Sequence, residues 1–179
     1  HLAERGAFVL ELGGDDTYEV PIGVGRREVP VGVFVDLGGK DRYGYEISAD
    51  SLDKATRPPS DSAGRYGLAG ATGQTLSRVG RQGSGVLGVG LLWVLGGQAD
   101  AYASLPPSQG AGAMGVGVLF DDGGDDRYVA ESTSQGSAMW GIGALIDRAG
   151  SDEYRTFYAS QGCGDVRGVG VAIDGGGDD

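Results

Sequence analysis

The chain has 179 residues, a net charge of −11 at neutral pH and 37 glycines. This charge argues against a nucleic-acid partner, because binding to a phosphate backbone requires basic surface that displaces counterions. No stretch reaches the ~18 consecutive apolar residues of a membrane helix, so we expect no membrane span. The length suits one domain, which we assign to residues 1–179.

A repeat of 26 residues organises most of the chain. Residues 115–128 read Gly-Val-Gly-Val-Leu-Phe-Asp-Asp-Gly-Gly-Asp-Asp-Arg-Tyr, and residues 141–154 repeat this pattern 26 positions later. Further copies lie at residues 6–18, 31–43, 82–108 and from 161 onward. A fixed period of this size is typical of solenoids and other stacked arrays, in which single units cannot bury a core alone.

Each copy contains an apolar stretch with a period of two before its first acidic residue. In one copy Val116, Val118 and Phe120 alternate with Gly117 and Leu119. β-Branched and aromatic residues in strict alternation predict a strand whose Val and Phe face is buried. The opposite face, formed by glycine and leucine, is apolar as well, so we expect another surface to lie against it.

The remainder of each copy predicts two more short sides. A Gly-Gly-Asp-Asp turn leads to a second strand at residues 127–131, and a Ser-Gln-Gly corner leads to a third side at residues 137–141. Three sides and three corners predict an all-β fold, a parallel β-solenoid with 26-residue coils stacked ~4.8 Å apart. The alternative is an array in which the Gly-Gly turns close antiparallel β-hairpins.

Stacking of coils would align equivalent side chains along the axis. We expect a ladder of glutamine amides in which each amide bonds to the next, formed by Gln82, Gln109, Gln135 and Gln161. We also expect an aromatic column, formed by Tyr18, Tyr43, Tyr102, Tyr128 and Tyr154. Both columns are interpreted as structural.

A polar insert at residues 44–81 interrupts the second copy. It contains Arg57-Pro58-Pro59 and is interpreted as an inserted loop with one short helix around residues 48–56. Insertions in solenoids commonly map to one face, often the binding face. A tolerated surface excursion explains the insert equally well.

Two acidic columns are the candidate metal ligands. The first contains Glu11, Asp36, Asp121, Asp147 and Asp174, and the second contains Asp16, Asp41, Asp126, Asp152 and Asp179. Like charges ~5 Å apart repel by ~3 kcal/mol at an effective dielectric constant of 20, so the columns require neutralisation. Backbone N–H groups of the turns, bound Ca²⁺, or arginines can provide it, the arginine candidates being Arg42, Arg127 and Arg148. The copy at 82–108 departs from the pattern, with Val94 in the first column and Asp100 as a possible substitute in the second.

The turn sequences resemble a known calcium-binding repeat. Gly-Gly-Asp-Asp-Thr-Tyr at 13–18 and Gly-Gly-Asp-Asp-Arg-Tyr at 123–128 are similar to shortened RTX nonapeptides. RTX modules fold as extracellular parallel β-rolls on binding calcium, so this resemblance implies Ca²⁺ and an extracellular location. The whole repeat resembles uncharacterised bacterial tandem-repeat proteins over nearly all of the chain outside the insert, which implies a bacterial β-repeat protein.

The residue inventory offers little for catalysis. His1 is the only histidine and Cys163 the only cysteine, which disfavours Ser-His, Cys-His and histidine-rich zinc chemistry. Carboxylate pairs can hydrolyse glycosides, but acids that recur in every copy suit a scaffold better than a unique catalytic pair. We therefore expect no enzyme activity.

The expected function is a structural or adhesive solenoid of the bacterial surface or exterior. Calcium would stabilise it, and copies would associate into oligomers or filaments through the glycine and leucine face. The alternative is a carbohydrate-binding or carbohydrate-cleaving solenoid that uses its aspartates, tyrosines and the insert, with a glycan as partner.

Overall fold

The computed structural model describes residues 8–44, 80–156 and 159–179, so most of the predicted insert and its helix at 48–56 lie outside the described residues. The described part contains strands and no helix. The long strands are β1 Phe8–Glu11, β4 Val31–Asp36, β7 Val89–Val94, β10 Val116–Asp121, β13 Ile142–Asp147 and β16 Val169–Asp174. The shorter strands are β2 Thr17–Tyr18, β3 Gly25–Arg26, β5 Arg42–Gly44, β6 Gly85–Val86, β8 Ala101–Ser104, β9 Gly112–Ala113, β11 Arg127–Ala130, β12 Ala138–Met139, β14 Glu153–Arg155 and β15 Gly164–Asp165.

The strands form three parallel sheets that run along one axis. Sheet A has the order β1-β4-β7-β10-β13-β16, sheet B the order β2-β5-β8-β11-β14, and sheet C the order β3-β6-β9-β12-β15. Each coil contributes one strand to each sheet, so that coil 1 is β1 to β3 and coil 5 is β13 to β15. The predicted parallel β-solenoid is confirmed, with about five turns, and the antiparallel hairpin array is wrong.

The register between coils follows the sequence repeat. Leu119 pairs with Leu145, and Asp121 pairs with Asp147, 26 positions later. The insert leaves this register intact, because Gly25 of β3 pairs with Gly85 of β6 across it. The stacking direction and register were therefore readable from the repeat spacing.

The two faces of sheet A are the reverse of the sequence-based prediction. Leu119 and Leu145 are at most 1% exposed, whereas Trp93 is 41% exposed and Ile142 49% exposed. The glycine and leucine face therefore points into the coil, and the β-branched and aromatic face points outward. The sequence-based prediction named the glycine and leucine face as the surface through which copies associate. This choice of surface is wrong, because that face is already buried within each coil.

The narrow interior explains this reversal. A Cβ atom built on Gly117 would lie 2.1 Å from the carbonyl oxygen of Ala111, in the corner that leads to sheet C. Main chain thus approaches main chain across the coil, and only glycine fits at this level of the inward face. Leucine fills the next inward position and packs with the tyrosines of sheet B, forming a core of Phe34, Leu92, Leu119, Leu145, Tyr43, Tyr102 and Tyr128.

Candidate functional site

The tyrosines of sheet B form the predicted aromatic column inside the coils. The ring centroids of Tyr43 and Tyr102 lie 4.8 Å apart, those of Tyr102 and Tyr128 4.7 Å, and those of Tyr128 and Tyr154 4.9 Å. The rings are within 8° of parallel at these three steps. Their spacing matches the distance between neighbouring strands, so the parallel sheet itself sets the stack.

The tyrosine hydroxyls donate hydrogen bonds to the first acidic column. Tyr128 donates to Oδ2 of Asp147 at 2.6 Å, and Tyr102 donates to Oδ2 of Asp121, in both cases one coil further along the chain. Tyr43 instead donates to Asp36 of its own coil at 2.8 Å. The reason is Val94, which occupies the acidic position of the following coil and offers no acceptor.

The first acidic column also closes the turns that follow sheet A. Oδ1 of Asp121 accepts a hydrogen bond from the Gly123 N–H at 3.0 Å, and Oδ1 of Asp174 accepts one from the Gly176 N–H at 3.0 Å. Asp36 and Gly38 make the same bond at 3.1 Å. These contacts confirm the prediction that turn N–H groups bond to the acids, as aspartates commonly do in turns.

The second acidic column links each coil to the next. The Asp41 N–H donates to Oδ1 of Asp100, the Asp100 N–H to Oδ1 of Asp126, and the Asp126 N–H to Oδ1 of Asp152, each at 2.7 Å. The Asp16 N–H begins this ladder by donating to Oδ1 of Asp41. Asp41 and Asp100 lie 59 residues apart in sequence, yet they occupy adjacent coils. The second column is therefore a continuous series of side-chain to main-chain hydrogen bonds.

Two of the arginines proposed to neutralise the columns pair elsewhere. Arg127 contacts Glu153 on the outer face of sheet B at 2.7 Å, and Arg148 pairs with Asp122. Neither Glu153 nor Asp122 belongs to the two columns. These ion pairs hold surface charges of neighbouring coils together and do not offset the charge inside the coils.

Three groups of carboxylates along the solenoid could hold a metal ion, two of them buried and the third partly exposed at the C-terminal end. In each group the oxygen atoms lie within 4.8 Å of one another, and the groups are Asp100 with Asp121 and Asp126, Asp126 with Asp147 and Asp152, and Asp152 with Asp174 and Asp179. Asp126 and Asp152 each belong to two groups, so the groups form a file along the axis. Asp152 is 5% exposed, and its Oδ2 atom is buried without a hydrogen-bond partner.

The structure thus brings together six of the ten predicted metal ligands, at the C-terminal half of the chain. The other four lie in the first two coils and, among the described residues, form no such group: Glu11, Asp16, Asp36 and Asp41. Val94 accounts for the missing group between coils 2 and 3, since it removes the carboxylate that would join Asp41 to Asp100. Asp100 is a full member of the first group, and its position two residues before Tyr102 matches Asp126 before Tyr128.

Burial raises the pKa values of the buried members of these groups. Desolvation is the largest cause, and the neighbouring carboxylates add to it, raising the pKa of Asp100 to about 7 and that of Asp126 to about 9. Desolvation likewise raises the pKa of Asp147 and of Asp152 to about 6, although hydrogen bonds from Tyr128 and from the Asp126 N–H oppose it. These buried carboxyl groups therefore favour a bound proton or another positive charge beside them.

The glutamine ladder differs from its prediction. Nε2 of Gln135 donates to the carbonyl oxygens of Tyr128 at 3.0 Å and Arg155 at 3.3 Å, and Gln109 similarly bridges Tyr102 and Val129. The amides thus tie sheet B strands of adjacent coils together, and they do not bond to one another. The left-handed backbone of Gln135, with φ of 49°, directs its side chain toward these carbonyl groups.

Within the described ranges, no helix is long and apolar enough to cross a membrane. No family model matches the chain, and no curated protein and no solved structure matches it significantly. A functional assignment therefore rests on the fold and on the carboxylate column.

Proposed function

We propose that this protein is a structural or adhesive β-solenoid scaffold of the bacterial surface or exterior, stabilised by calcium and able to self-associate. The observation that carries the proposal is the inward orientation of the recurring acids. They lie at the coil interior, where their oxygens accept main-chain and tyrosine hydrogen bonds from neighbouring coils. Acids that make these contacts stabilise the stack of coils.

The same burial disfavours the carbohydrate-cleaving alternative. Asp121 is 1% exposed and Asp126 2% exposed, so their carboxyl groups face the tyrosine column and not the solvent. A glycosidase places its two carboxyl groups on either side of a bound sugar. A polysaccharide cannot reach this pair in the folded coil.

Calcium suits the chemistry of the carboxylate file. Ca²⁺ takes six to eight oxygen ligands with flexible geometry, and each group supplies three carboxylates. Asp152 belongs to two of the groups, and its Oδ2 atom, which has no hydrogen-bond partner among the described residues, is available as a ligand. A divalent cation would offset the mutual repulsion of ionised carboxylates, which the surface arginine pairs leave uncompensated.

Thermal melting in EDTA and in millimolar calcium tests this part of the proposal. A ligand that binds only the native state raises the melting temperature further as its concentration increases, so we expect a graded increase with calcium. Asp126→Asn should abolish most of the increase, because it removes a charge from two groups while keeping an Oδ1 acceptor for the Asp100 N–H.

Asp125→Asn is the matched control for the calcium response. Asp125 is an exposed neighbour outside the carboxylate groups, and its Oδ1 accepts from the Ser151 N–H. This variant should retain the full calcium response. Equal melting temperatures in EDTA and in 10 mM calcium would contradict calcium stabilisation and leave the aspartates as turn and ladder residues.

A further inference from the structure

The outward face of sheet A is a continuous apolar surface. Along each strand the outward positions alternate with the buried ones, and they hold residues such as Val89, Trp93, Phe120, Ile142 and Val169. Of these, Trp93, Ile142 and Val169 are 41% to 58% exposed. The three outward rows of β4, β7, β10, β13 and β16 contain no ionisable side chain. In a chain with a net charge of −11, this is an uncharged face on an acidic molecule.

We propose that this face is the interface through which two copies of the chain pack sheet against sheet, related by a twofold axis parallel to the solenoid axis. The inference deepens the proposed scaffold function, since it names the surface and the partner of self-association. It replaces the glycine and leucine face, which the structure buries within each coil.

The size of the face matches what a specific dimer requires. Six strands ~4.8 Å apart and about 20 Å long cover roughly 600 Å² on each copy. Two copies would therefore bury about 1,200 Å², which lies at the lower end of specific interfaces and above most incidental contacts. Single exposed apolar residues are ordinary on protein surfaces, whereas an apolar patch of this area usually marks an interaction site.

The outward face of sheet A is not flat. Trp93 and Phe120 occupy paired positions on β7 and β10, with ring centroids 5.6 Å apart at 70°, and form an aromatic ridge at one edge. Ala144 lies in the middle row, where it pairs with Val118 on one side and Val171 on the other, and so forms a shallow hollow. Because this axis places each coil opposite the same coil of the partner, the ridge lies over the smaller Val89 and Val116 at the starts of the partner's strands, and Ala144 faces its own copy.

Charges at the two edges of sheet A select the orientation. The edge where the strands end is acidic: leaving aside its buried aspartates, it carries a net charge of −6, from Lys40 and Arg148 against Glu11, Asp15, Asp16, Asp122, Asp125, Asp174, Asp178 and Asp179. The edge where the strands begin carries a net charge of +1, from Arg26, Arg27 and Arg167 against Glu28 and Asp165. A twofold axis parallel to the solenoid axis makes the facing strands antiparallel, so the acidic edge of one copy lies over the basic edge of the other.

Sedimentation velocity of the 179-residue chain from about 1 to 500 µM tests the proposal. We expect a concentration-dependent shift from monomer to dimer, and we expect Ile142→Lys to remain a monomer throughout, because it places a charge within the desolvated face. Ile142 is 49% exposed in the single copy, so the variant should keep the strand signal of the wild type in circular dichroism.

Ala101→Lys is the matched control, since Ala101 faces outward on β8 of sheet B and this variant should dimerise like the wild type. If Ile142→Lys loses strand signal, Trp93→Gln takes its place and should also weaken dimerisation at least tenfold. A wild-type chain that stays monomeric to 500 µM would overturn the proposal, as would a dimer that the substitutions on sheet A leave unchanged. Neither outcome affects the calcium response, so the two proposals fail independently.

Discussion

The hydroxyl of Tyr128 donates a 2.6 Å hydrogen bond to Oδ2 of Asp147, which lies on the next coil of the solenoid. Both residues are buried, and the acid also accepts from the Ala149 N–H. One side chain thus joins the aromatic column of sheet B to the acidic column of sheet A. This relationship recurs between Tyr102 and Asp121 and ties successive coils through their interior.

Removal of this hydroxyl should destabilise the protein while leaving the ring stack in place. We expect Tyr128→Phe to lower the free energy of unfolding by about 1.5 to 3 kcal/mol, the usual contribution of a hydrogen bond to a charged group. Urea denaturation followed by circular dichroism measures the difference. Tyr18→Phe is the control, because the Tyr18 hydroxyl has no hydrogen-bond partner among the described residues, and an equal loss in both variants would contradict the assigned role.

A methyl group at Gly117 should disrupt the closest approach inside the coil. The added Cβ would lie 2.1 Å from the Ala111 carbonyl oxygen, so the main chain must shift, at an expected cost of about 3 kcal/mol. Gly97→Ala is the control, since a Cβ there meets nothing within 4 Å and should change stability by less than about 0.5 kcal/mol. Melting temperatures of the two variants test the comparison. A stable Gly117→Ala protein would show that the coil interior is wider than described.

The raised carboxyl pKa values predict that the calcium-free protein becomes less stable as the pH rises. An unfolded aspartate has a pKa of about 4, so below that pH both states are protonated and the charge cost is absent. Between pH 4 and the folded pKa values of about 7 for Asp100 and about 9 for Asp126, the unfolded state loses its protons first. Stability therefore falls across this window.

Melting temperatures in EDTA from pH 4.5 to pH 9 measure this dependence. Asp126→Asn should flatten the profile, since its amide does not ionise. Calcium should restore stability mainly at the alkaline end, where the carboxylates are ionised and available as ligands. A calcium-free protein that melts higher at pH 8 than at pH 5 would contradict the assigned burial of charge.

Replacing Val94 with an aspartate, the residue at this position in most coils, should make the stability of the protein depend more strongly on calcium. Val94 is 2% exposed and pairs with Asp36 on one side and Asp121 on the other. In EDTA, Val94→Asp should lower the free energy of unfolding by about 3 kcal/mol, because it buries a further carboxylate between those of Asp36 and Asp121. In calcium, the loss should be largely recovered. Val94→Asn, which is polar but uncharged, should lose stability equally with and without calcium.

Much of the fold could be predicted from the repeat alone. Equivalent residues 26 positions apart, such as Leu119 and Leu145, must lie on adjacent rungs once the coils stack in parallel, so register and columns followed directly. The break in the acidic column at Val94 was also visible in the sequence. These features depend only on the period of the repeat and not on the width of the coil.

The orientation of sheet A was not predictable from hydrophobicity. Val118 and Phe120 resemble core residues more than Gly117 does, yet the outward position of a broad sheet tolerates them, since much of a protein surface is apolar. The useful signal was which residues alternate onto the same face of the strand as the acid. Gly117, Leu119 and Asp121 share one face of the strand, and the acid must point inward for the tyrosines of sheet B to reach it.

The glutamine contacts were mispredicted for a different reason. Stacked amides can bond to one another in extended strands, but Gln135 lies in a corner with a left-handed backbone. Its amide therefore meets the carbonyl groups of Tyr128 and Arg155 before it meets another glutamine. The local backbone angle, which the repeat pattern does not specify, decided the partner.

The hydrogen bonds of the second acidic column all run in one direction. The Asp100 N–H donates to Asp126, 26 residues later, and the Asp126 N–H donates to Asp152, another 26 residues later. A growing polypeptide emerges from the ribosome with its amino end first. The buried N–H group of each turn therefore has no acceptor until about one further repeat has been synthesised. Folding during translation would accordingly trail synthesis by one full turn.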